Sequence, residues 1–419
     1  MLSSKQVGWA RFTGKRVLLL QGPHGPFFKR VASALLAAGA CAVEKINFNG
    51  GDVFYYPGQA IAYRGSMADW SGFLDDFTEK NKIDCIFVFG DCRPVHIQAR
   101  KVALNKGMQY WVFEEGYIRP HFITFEQHGV NGHSFLPTQR QAYDAWLPAT
   151  LPDELPVPPS FIQAARCAVI YFICASLASP WFRQYQHHRR LTMLEGPYWW
   201  RGYARKLYYR LKEKLSLNDL KPASQGKYFL AVLQVATDAQ VAVHSPYGSI
   251  EEFIVDTVRS FALHAPQDTV LVVKHHPMDR GYADYTKVIE VLAAKHQLGG
   301  RLRYIHDQHL PLLLSFSEGV VTINSTVGLQ ALFHGTPVIT LGDAVYDMDG
   351  LTCQTGLDNF WREPQAHKPD GELHAKFRNY VIVHTQINGN FYVALPDSDA
   401  AGLRWRTALT VPLVPPFSA

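Results

Sequence analysis

The chain has 419 residues, which against typical domains of roughly 100 to 200 residues indicates two domains and excludes a peptide-sized or disulfide-stapled fold. Lysine and arginine number 41 against 36 acidic residues, so the formal net charge is +5 with the 18 histidines neutral. Hydrophobic residues make up 47% and charged residues 18%, which is a globular composition. Lysine and arginine are not in excess along the whole sequence, so nucleic acid is not an expected partner.

In the first part of the chain, from Lys15 to about Pro137, short apolar runs alternate with amphipathic ones, which is the pattern of βαβ units on a parallel sheet. We predict strands over 17–21, 43–48, 84–90 and 109–114, and helices over 28–39 and 67–81. The turn GPHGPFF after the first strand places Gly22, His24 and Gly25 at a carboxyl strand end, where we expect substrate binding. The turn lacks a GxGxxG pattern, so a dinucleotide cofactor is not expected.

A second α/β region begins near Lys227 with the strand KYFLAVLQV. Ser249 and Glu252 form an S-x-x-E capping box that opens the helix IEEFIVDTVRSFALH. The strands TVLVVKHHP, RLRYIHD, GVVTINS and TPVITLG then alternate with a helix near 284–296 and another across TVGLQALFHG. The sequence therefore predicts an α/β fold with two Rossmann-like domains that face each other across a cleft.

Between the two halves lies a different segment, Pro-rich at LPDELPVPPS and later basic and aromatic. We predict an N-terminal acceptor and catalytic domain over 1–137, a linker and basic aromatic helical insertion over 138–226, a nucleotide-binding domain over 227–370, and a C-terminal helix and tail over 371–419 that could return to the first domain. From Arg183 to Lys214 nine lysines and arginines stand against two glutamates, so the rest of the chain nets −2. Cations interleaved with tryptophan and tyrosine favour an anionic membrane surface, and a helix packed on the body by its aromatic face is the alternative.

Six cysteines are too sparse for a disulfide scaffold, and we predict buried thiols in a reducing compartment; they are Cys41, Cys85, Cys92, Cys167, Cys174 and Cys353. The N-terminal sequence has no apolar stretch of signal-peptide length. The longest apolar run, residues 167–182, is shorter than the roughly 20 residues that a spanning helix needs. We therefore expect a cytoplasmic protein, peripheral on the inner membrane face.

The loop KHHPMDRG follows the strand TVLVV and gathers several NH donors at a carboxyl strand end. A phosphate or phosphodiester suits this set, and a solvated basic turn is the alternative. The predicted binding residues of this loop are Lys274, His275, His276, Pro277 and Arg280.

A second loop, after GVVTI, brings Asn324, Ser325 and Thr326 to the start of a helix that also contains Gly328. Ser or Thr at a helix start is ordinarily an N-cap. The free backbone NH groups and the helix dipole nevertheless favour an anion there, and glycine permits close approach. Two such strand ends in one α/β region predict a shared nucleotide-phosphate site.

The third motif, WVFEEGYIRPHF, places Glu114 and Glu115 at a strand end, followed by Arg119 and His121. Because side chains alternate along a strand, at most one glutamate faces the cleft, as nucleophile or base. The alternative is that one glutamate pairs with Arg119 and the other is solvated. We expect Asp91 and Arg93 of FGDCRP, and His121, to bind substrate.

No metal site is predicted. The histidines at 121, 128 and 133 match no usual ligand spacing, and no cysteine pair joins them. The D-x-D of Asp347 and Asp349 is a weak signal that we assign to a loop.

Together these motifs resemble the bacterial capsule polysaccharide synthesis family of KpsS and LipB type, related to the KpsC-type retaining β-Kdo glycosyltransferases. The resemblance covers roughly residues 15–395 and implies a GT-B-like fold that uses CMP-activated Kdo. It implies that His276, Pro277, Ser325 and Thr326 bind the CMP moiety. The KpsC-like acidic motif reads Glu-Asp-Gly, with its second acid implicated in catalysis; Glu115 takes that position here with a longer side chain.

The resemblance implies transfer of Kdo from CMP-Kdo to lyso-phosphatidylglycerol, which starts the lipid-linked poly-Kdo linker needed for capsule export. We expect this transfer to need no metal ion or other cofactor. The expected partners are a nucleotide-sugar donor, an anionic phospholipid acceptor, the inner-membrane surface and a capsule biosynthesis or export complex. Two alternatives stay open: a CDP-glycerol glycerophosphotransferase-like enzyme, and a non-enzymatic capsule export or assembly factor.

Overall fold

The computed structural model describes residues 8–146, 154–185, 196–213 and 227–405. The chain divides into two compact units. The first holds residues 1–135, 148–194 and 379–419, and the second holds residues 136–147 and 195–378. The segment between the predicted α/β halves is therefore shared between the units.

Strands and helices alternate in the first part of the chain, with the bounds β1 (Arg16–Leu19), α1 (Phe27–Ala37), β2 (Ala42–Asn47), α2 (Gly50–Tyr55), β3 (Ile61–Ala62), α3 (Trp70–Lys80), β4 (Cys85–Phe89), α4 (Pro94–Asn105), β5 (Gln109–Glu115) and β6 (Phe122–Gln127). The four strands and two helices predicted here are present, with their ends shifted by at most three residues. Strands β3 and β6 and helices α2 and α4 were not predicted.

The middle of the chain is helical where it is described, with α5 (Arg140–Asp144), α6 (Phe161–Leu177) and α7 (Gly196–Lys212). The remaining elements are β7 (Lys227–Val232), α8 (Ala239–Val243), α9 (Ile250–His264), β8 (Thr269–Lys274), α10 (Thr286–Lys295), β9 (Leu302–Ile305), α11 (Leu310–Phe316), β10 (Gly319–Thr322), α12 (Val327–Phe333), β11 (Val338–Thr340), α13 (Leu357–Arg362), α14 (Gly371–Thr385) and β12 (Gln386–Asn388). Every strand predicted for the second half is present.

The first unit is built on a seven-stranded sheet in the order β12-β6-β5-β4-β1-β2-β3. Strands β1 to β5 are parallel, whereas β6 runs antiparallel to β5, and β12 runs antiparallel to β6. Residues near the C-terminus thus complete this sheet, with Ile387 paired to Ile123.

Strand β4 shows that this sheet is covered on both faces. Cys85 and Phe87 point into one hydrophobic cluster, and Ile86 and Val88 point into another on the opposite face. Successive side chains of a strand alternate between faces, so a continuous apolar run fits only a sheet that is buried on both sides.

The second unit is built on a five-stranded, all-parallel sheet in the order β11-β10-β7-β8-β9. The predicted cap of α9 forms, because Ser249 Oγ accepts a hydrogen bond from Glu252 N at 3.2 Å. The return half of the capping box differs, since Glu252 Oε2 accepts from Gly248 N and not from Ser249. Two α/β units, one on a mainly parallel sheet and one on an all-parallel sheet, confirm the predicted fold class of two Rossmann-like domains.

All six cysteines are free thiols. Cys85, Cys92 and Cys353 are buried, as predicted, and two are half-buried. The prediction is wrong for Cys41, which is exposed just after the turn that follows α1. Among the described residues, no helix combines the length and the apolar character that crossing a membrane requires.

Candidate functional site

The loop after β8 in the second unit brings two buried cations to one acceptor. Lys274 Nζ and Arg280 Nη2 both donate to the carbonyl oxygen of His306, at 3.5 and 3.0 Å. Arg280 Nη2 also donates to Asp307 Oδ1 at 2.7 Å. Burial and the neighbouring Arg280 lower the pKa of Lys274 to about 8. This end of the sheet therefore gathers two buried cations, with the carboxylates of Asp307 and Glu213 as their neighbouring anions.

The two histidines of this loop lie in different surroundings. His275 is buried, with Nδ1 hydrogen-bonded to the hydroxyl of Tyr304 at 2.6 Å. Burial and the neighbouring His306 lower its pKa to about 3, so the ring is neutral at physiological pH. His276 is half-buried, and its Nδ1 accepts from Met278 N at 3.2 Å beside the exposed Pro277.

Two polar atoms here remain unsatisfied. Within the part of the chain that the structure describes, Arg280 Nε and His275 Nε2 are buried without a hydrogen-bond partner. A buried donor without a partner costs roughly 1–3 kcal/mol, so such atoms call for an explanation, and a bound ligand would supply one.

The loop after β10 is held more tightly than its sequence suggested. Asn324 is held on both sides of its amide, because Oδ1 accepts from Gln234 Nε2 at 2.9 Å and Nδ2 donates to main-chain carbonyls. Ser325 Oγ accepts from Val327 N at 3.2 Å, while the half-buried Thr326 precedes α12 without a side-chain cap bond. These contacts show Asn324 as a structural residue of the loop.

Gly328 is required for packing. A Cβ at this position would lie 2.1 Å from the hydroxyl oxygen of Tyr346, which itself donates to the carbonyl of Ser325. We predicted that Gly328 lets a ligand come close to the backbone, but the buried Tyr346 occupies that space.

The two loops meet at one sheet edge through a residue that the sequence analysis missed. Strand β7 lies between β8 and β10, and Gln234 follows it. Gln234 exchanges hydrogen bonds with Asn324, and two residues further on Ala236 N donates to Asp279 Oδ2 at 3.0 Å. The only sequence signal was the end of the strand KYFLAVLQV.

In the first unit, the carboxyl edge of the sheet brings Glu114 to Arg93. Arg93 Nη1 donates to Gln21 Oε1 at 3.0 Å and lies 3.4 Å from the carbonyl of Gly22. The pKa of Glu114 is raised to about 7, chiefly by burial and also by the charges of Glu115 and Asp91, against the attraction of Arg93. Glu114 is therefore about half ionised at neutral pH.

The neighbouring Glu115 is exposed, and its backbone NH donates to Glu114 Oε1 at 2.9 Å. Arg119 is also exposed, with Nε donating to the carbonyl of Gly116 at 3.1 Å. The structure thus joins Glu114, and not Glu115, to the residues at the ends of β1 and β4.

Asp91 and His121 take part in holding loops. The carboxylate of Asp91 is buried and accepts from Val130 N and His133 Nδ1 at 3.1 and 3.0 Å. Burial raises the pKa of Asp91, but these hydrogen bonds lower it by more, so the net effect is a lowered pKa. His121 Nδ1 accepts from Val157 N at 3.1 Å.

Asp91, Cys92 and His133 each offer one possible metal-ligand atom, and these atoms lie within 4.8 Å of one another. The hydrogen bond between Asp91 and His133 accounts for two of them without an ion. That the protein needs no metal remains a prediction.

The turn after β1 lies against helix α6. His24 stacks on Tyr171 with ring centroids 4.5 Å apart, and a Cβ on Gly25 would lie 3.3 Å from Cys167 Sγ. Gly22 and Gly25 line a pocket together with Lys29, Lys45, Asp52 and Tyr171. The predicted substrate-binding turn therefore borders a pocket.

A second titrating carboxyl was not predicted. Glu126 on β6 accepts from Ser134 Oγ at 2.5 Å, and burial raises its pKa to about 7. Glu126 pairs with Val112 in register and Thr124 pairs with Glu114, so both glutamates lie on the same face of the sheet. The strand FITFEQ, which was not predicted, carried this residue.

The basic aromatic helix α7 packs on the loop after β8 in its own unit. Gly202 lies against Gly281, Arg205 Nη1 donates to the carbonyl of Arg280 at 2.9 Å, and Arg205 Nη2 pairs with Asp284 at 2.7 Å. Beyond α7, the carboxylate of Glu213 accepts from the backbone NH groups of residues 306 and 307.

The outer face of α7 is apolar and basic. Trp199 and Tyr198 contact Tyr282, but most large side chains of the helix are exposed. They include Trp200, Tyr203, Leu207, Tyr208 and Leu211. The rest of the basic stretch predicted from Arg183 to Lys214, namely residues 186–195 and 214, lies outside the described residues.

The fold and the sites define the class of this molecule: an α/β protein of two Rossmann-like units, with polar clusters at the carboxyl edges of both sheets. Its sequence matches the family model described as "Capsule polysaccharide biosynthesis protein" over residues 84–392. The chain belongs to this family, which confirms the predicted resemblance.

Two relatives match almost throughout. The capsule polysaccharide export protein KpsS of Escherichia coli is 41% identical over 388 residues, which are 91% of this chain and 97% of that protein. The capsule polysaccharide modification protein LipB of Neisseria meningitidis serogroup B is 38% identical over 391 residues, 91% of this chain and 92% of that protein. A solved structure of Thermosulfurimonas dismutans KpsC, a beta Kdo 2,7 transferase, has a TM-score of 0.46 and 16% identity, and covers 92% of this chain and 96% of that one.

Proposed function

We propose that the protein is a glycosyltransferase of capsule biosynthesis that moves Kdo from CMP-Kdo to a lyso-phosphatidylglycerol acceptor. This transfer would start the lipid-linked poly-Kdo linker on which the capsule is exported. Membership of the capsule family and relatives named for capsule export and modification supply the biological context.

The observation that carries the proposal is the cation pair after β8. Lys274 and Arg280 are both buried and share the carbonyl of His306, and Arg280 Nε has no hydrogen-bond partner among the described residues. Asp307 pairs with Arg280, and Glu213 lies near Lys274. The unpaired Arg280 Nε and the long 3.5 Å contact of Lys274 Nζ still leave donors, among the described residues, that a phosphate would accept from. CMP-Kdo brings such a phosphate as its leaving group.

The same cations have a role in the chemistry. When the bond between the sugar and CMP breaks, negative charge grows on the departing phosphate. Lys274, Arg280 and the NH donors of the neighbouring loop stabilise that charge where little water competes. The transfer proposed here therefore needs no metal ion.

We assign to Glu114 the reaction with the anomeric carbon of the sugar. Glu114 lies beside Arg93 and the end of β1. Because its pKa is about 7, both the carboxylate and the carboxylic acid are populated at neutral pH. As carboxylate it would attack the anomeric carbon if configuration is retained. Arg119 or Arg93 would pair with the carboxylate of Kdo.

The acceptor is a lipid, and α7 supports this assignment. Its outer face combines exposed tryptophan and tyrosine with lysine and arginine, which suits an anionic membrane surface. Localisation on the inner face of the membrane is part of the proposal, as is work within a capsule export complex.

Product analysis tests the function. The purified protein is incubated with CMP-Kdo and lyso-phosphatidylglycerol, and the lipid products are examined by mass spectrometry. The proposal expects a product heavier than the acceptor by one Kdo residue. Turnover of CDP-glycerol in its place would identify a glycerophosphotransferase, and no turnover of either donor would favour an export or assembly factor.

A further inference from the structure

Helix α6 of the first unit presents an apolar stripe to solvent. Ile162, Val169, Ile173 and Leu177 recur at helical spacing and are all exposed, Ile162 by 69% and Leu177 by 61%. The exposed Trp181 follows just beyond the helix end. Monomeric proteins rarely expose a contiguous apolar surface of this kind, so the stripe indicates a binding surface.

The opposite face of α6 is fixed to the unit. A Cβ on Gly50 would lie 2.2 Å from the carbonyl oxygen of Cys174, and one on Gly51 would lie 2.5 Å from the ring of Tyr171. Tyr171 and Phe172 are buried, and the Tyr171 hydroxyl donates to Asp52 Oδ1 at 3.0 Å. Helix α6 is therefore packed on the first unit by one face, and the apolar stripe lies on its other face.

The charges near the stripe favour an anionic lipid surface as its binding partner. From residue 155 to residue 185 the sequence contains no aspartate or glutamate, whereas Arg166 and Arg183 are both exposed. In a twofold dimer through this face the arginines would meet a surface with no acid of its own to pair with. An anionic lipid surface offers both an apolar layer for the stripe and phosphates for the arginines.

The inner side of α6 gives a second reason to choose lipid. Tyr171 lines the pocket at the turn after β1, and this pocket also contains Lys29 and the buried Lys45. Lys45 Nζ donates to the carbonyl of Ile46 at 2.5 Å, and burial lowers the pKa of Lys45 to about 8. Asp52 also lines this pocket, so its two lysines stand against one carboxylate. A pocket with more basic than acidic residues, behind an apolar and acid-free helix, suits an amphiphile with an anionic head.

We propose that the outer face of α6 docks the first unit on an anionic bilayer, with Ile162, Val169, Ile173, Leu177 and Trp181 at the level of the acyl boundary. This surface is additional to α7 in the second unit. The inference deepens the proposed function because it names a surface at which a lipid acceptor would reach the predicted substrate turn.

Vesicle flotation without any donor tests the inference. The full-length protein is mixed with vesicles of phosphatidylethanolamine and phosphatidylglycerol, or of phosphatidylcholine alone. The double variant I173E/L177E should bind the anionic vesicles about tenfold more weakly than wild type, since two apolar contacts are lost. The neutral variant I173Q/L177Q should also bind more weakly, which separates loss of apolar contact from added negative charge.

The matched control is L263E/V291E in the second unit. Both positions are exposed apolar sites on helices, 69% and 65% exposed, and the charge change is the same. This control should bind within about twofold of wild type, and circular dichroism should show that all variants fold.

Equal binding by I173E/L177E and wild type would overturn the inference and leave α7 as the lipid surface. A wild-type dimer that I173E/L177E converts to a monomer without loss of vesicle binding would overturn it in favour of self-association. Because no donor is present, failure to transfer Kdo would refute the proposed function while leaving a positive vesicle result intact.

Discussion

The pKa of Glu114 leads to a quantitative prediction about pH. With a pKa of about 7 in the free protein, the carboxylate fraction is about one half at pH 7 and about one tenth at pH 6. If the carboxylate is the reactive form, kcat/KM falls about tenfold from its plateau by pH 6. On the alkaline side, the pKa of Lys274 near 8 weakens phosphate binding as that cation deprotonates. We therefore expect a bell-shaped profile with its maximum near pH 7.5.

The decisive variants are E114Q and E115Q. E114Q keeps the shape of the side chain but cannot ionise, so kcat/KM should fall by about 10²–10⁴ and the residual activity should lose its acid limb. E115Q changes an exposed side chain and should stay within about threefold of wild type with an unchanged profile. The assay is the initial rate of CMP release from CMP-Kdo with lyso-phosphatidylglycerol present, from pH 5.5 to 9.

An E114Q protein with the full rate, or one that retains the acid limb, would refute the assignment. Loss of activity in E115Q alone would restore the role that the family resemblance gives to Glu115. Circular dichroism on both variants separates a chemical effect from misfolding.

Three further predictions concern binding and stability. K274M should weaken CMP binding by about 10- to 100-fold in calorimetry, whereas K274R, which keeps the charge, should recover most of it. G328A should lower the free energy of unfolding by about 1–3 kcal/mol in urea titrations, because its Cβ would meet the buried Tyr346 hydroxyl at 2.1 Å. Burial lowers the pKa of His96 to about 3, so only the unfolded chain gains this proton below pH 6.5. The stability advantage of wild type over H96Q should therefore shrink as pH falls from 6.5 to 5, with a slope that rises to about 1.4 kcal/mol per pH unit near pH 5.

The parallel strands were predictable because each is a short apolar run that ends in a polar turn. Parallel strands covered on both faces leave this pattern in the sequence, and their carboxyl ends must share one edge. That rule correctly grouped the loops after β8 and β10. It could not reveal Gln234, because a single amide at a strand end looks the same whether it binds solvent or bridges two loops.

Side-chain direction was harder to predict than strand position. Glu114 and Glu115 are adjacent, and the sequence shows only that they point to different sides. The structure shows Glu114 as the more buried of the two, beside Gly90, which turns with a φ of 70° that favours glycine. A Cβ on Gly90 would lie 3.4 Å from Glu114 Oε2. Such a contact joins residues far apart in sequence, and no local pattern encodes it.

The charge of α7 shows how much a count of cations can mislead. Arg201 and Arg205 donate to main-chain carbonyls between Arg280 and Ala283, so they hold the helix to its unit. Lys206, Arg210 and Lys212 stay exposed beside the apolar face. At roughly 1 kcal/mol per cation near an anionic surface, only these three count fully toward lipid binding. Attraction to a membrane therefore depends on the aromatic side chains as well, and high salt should weaken vesicle binding without abolishing it.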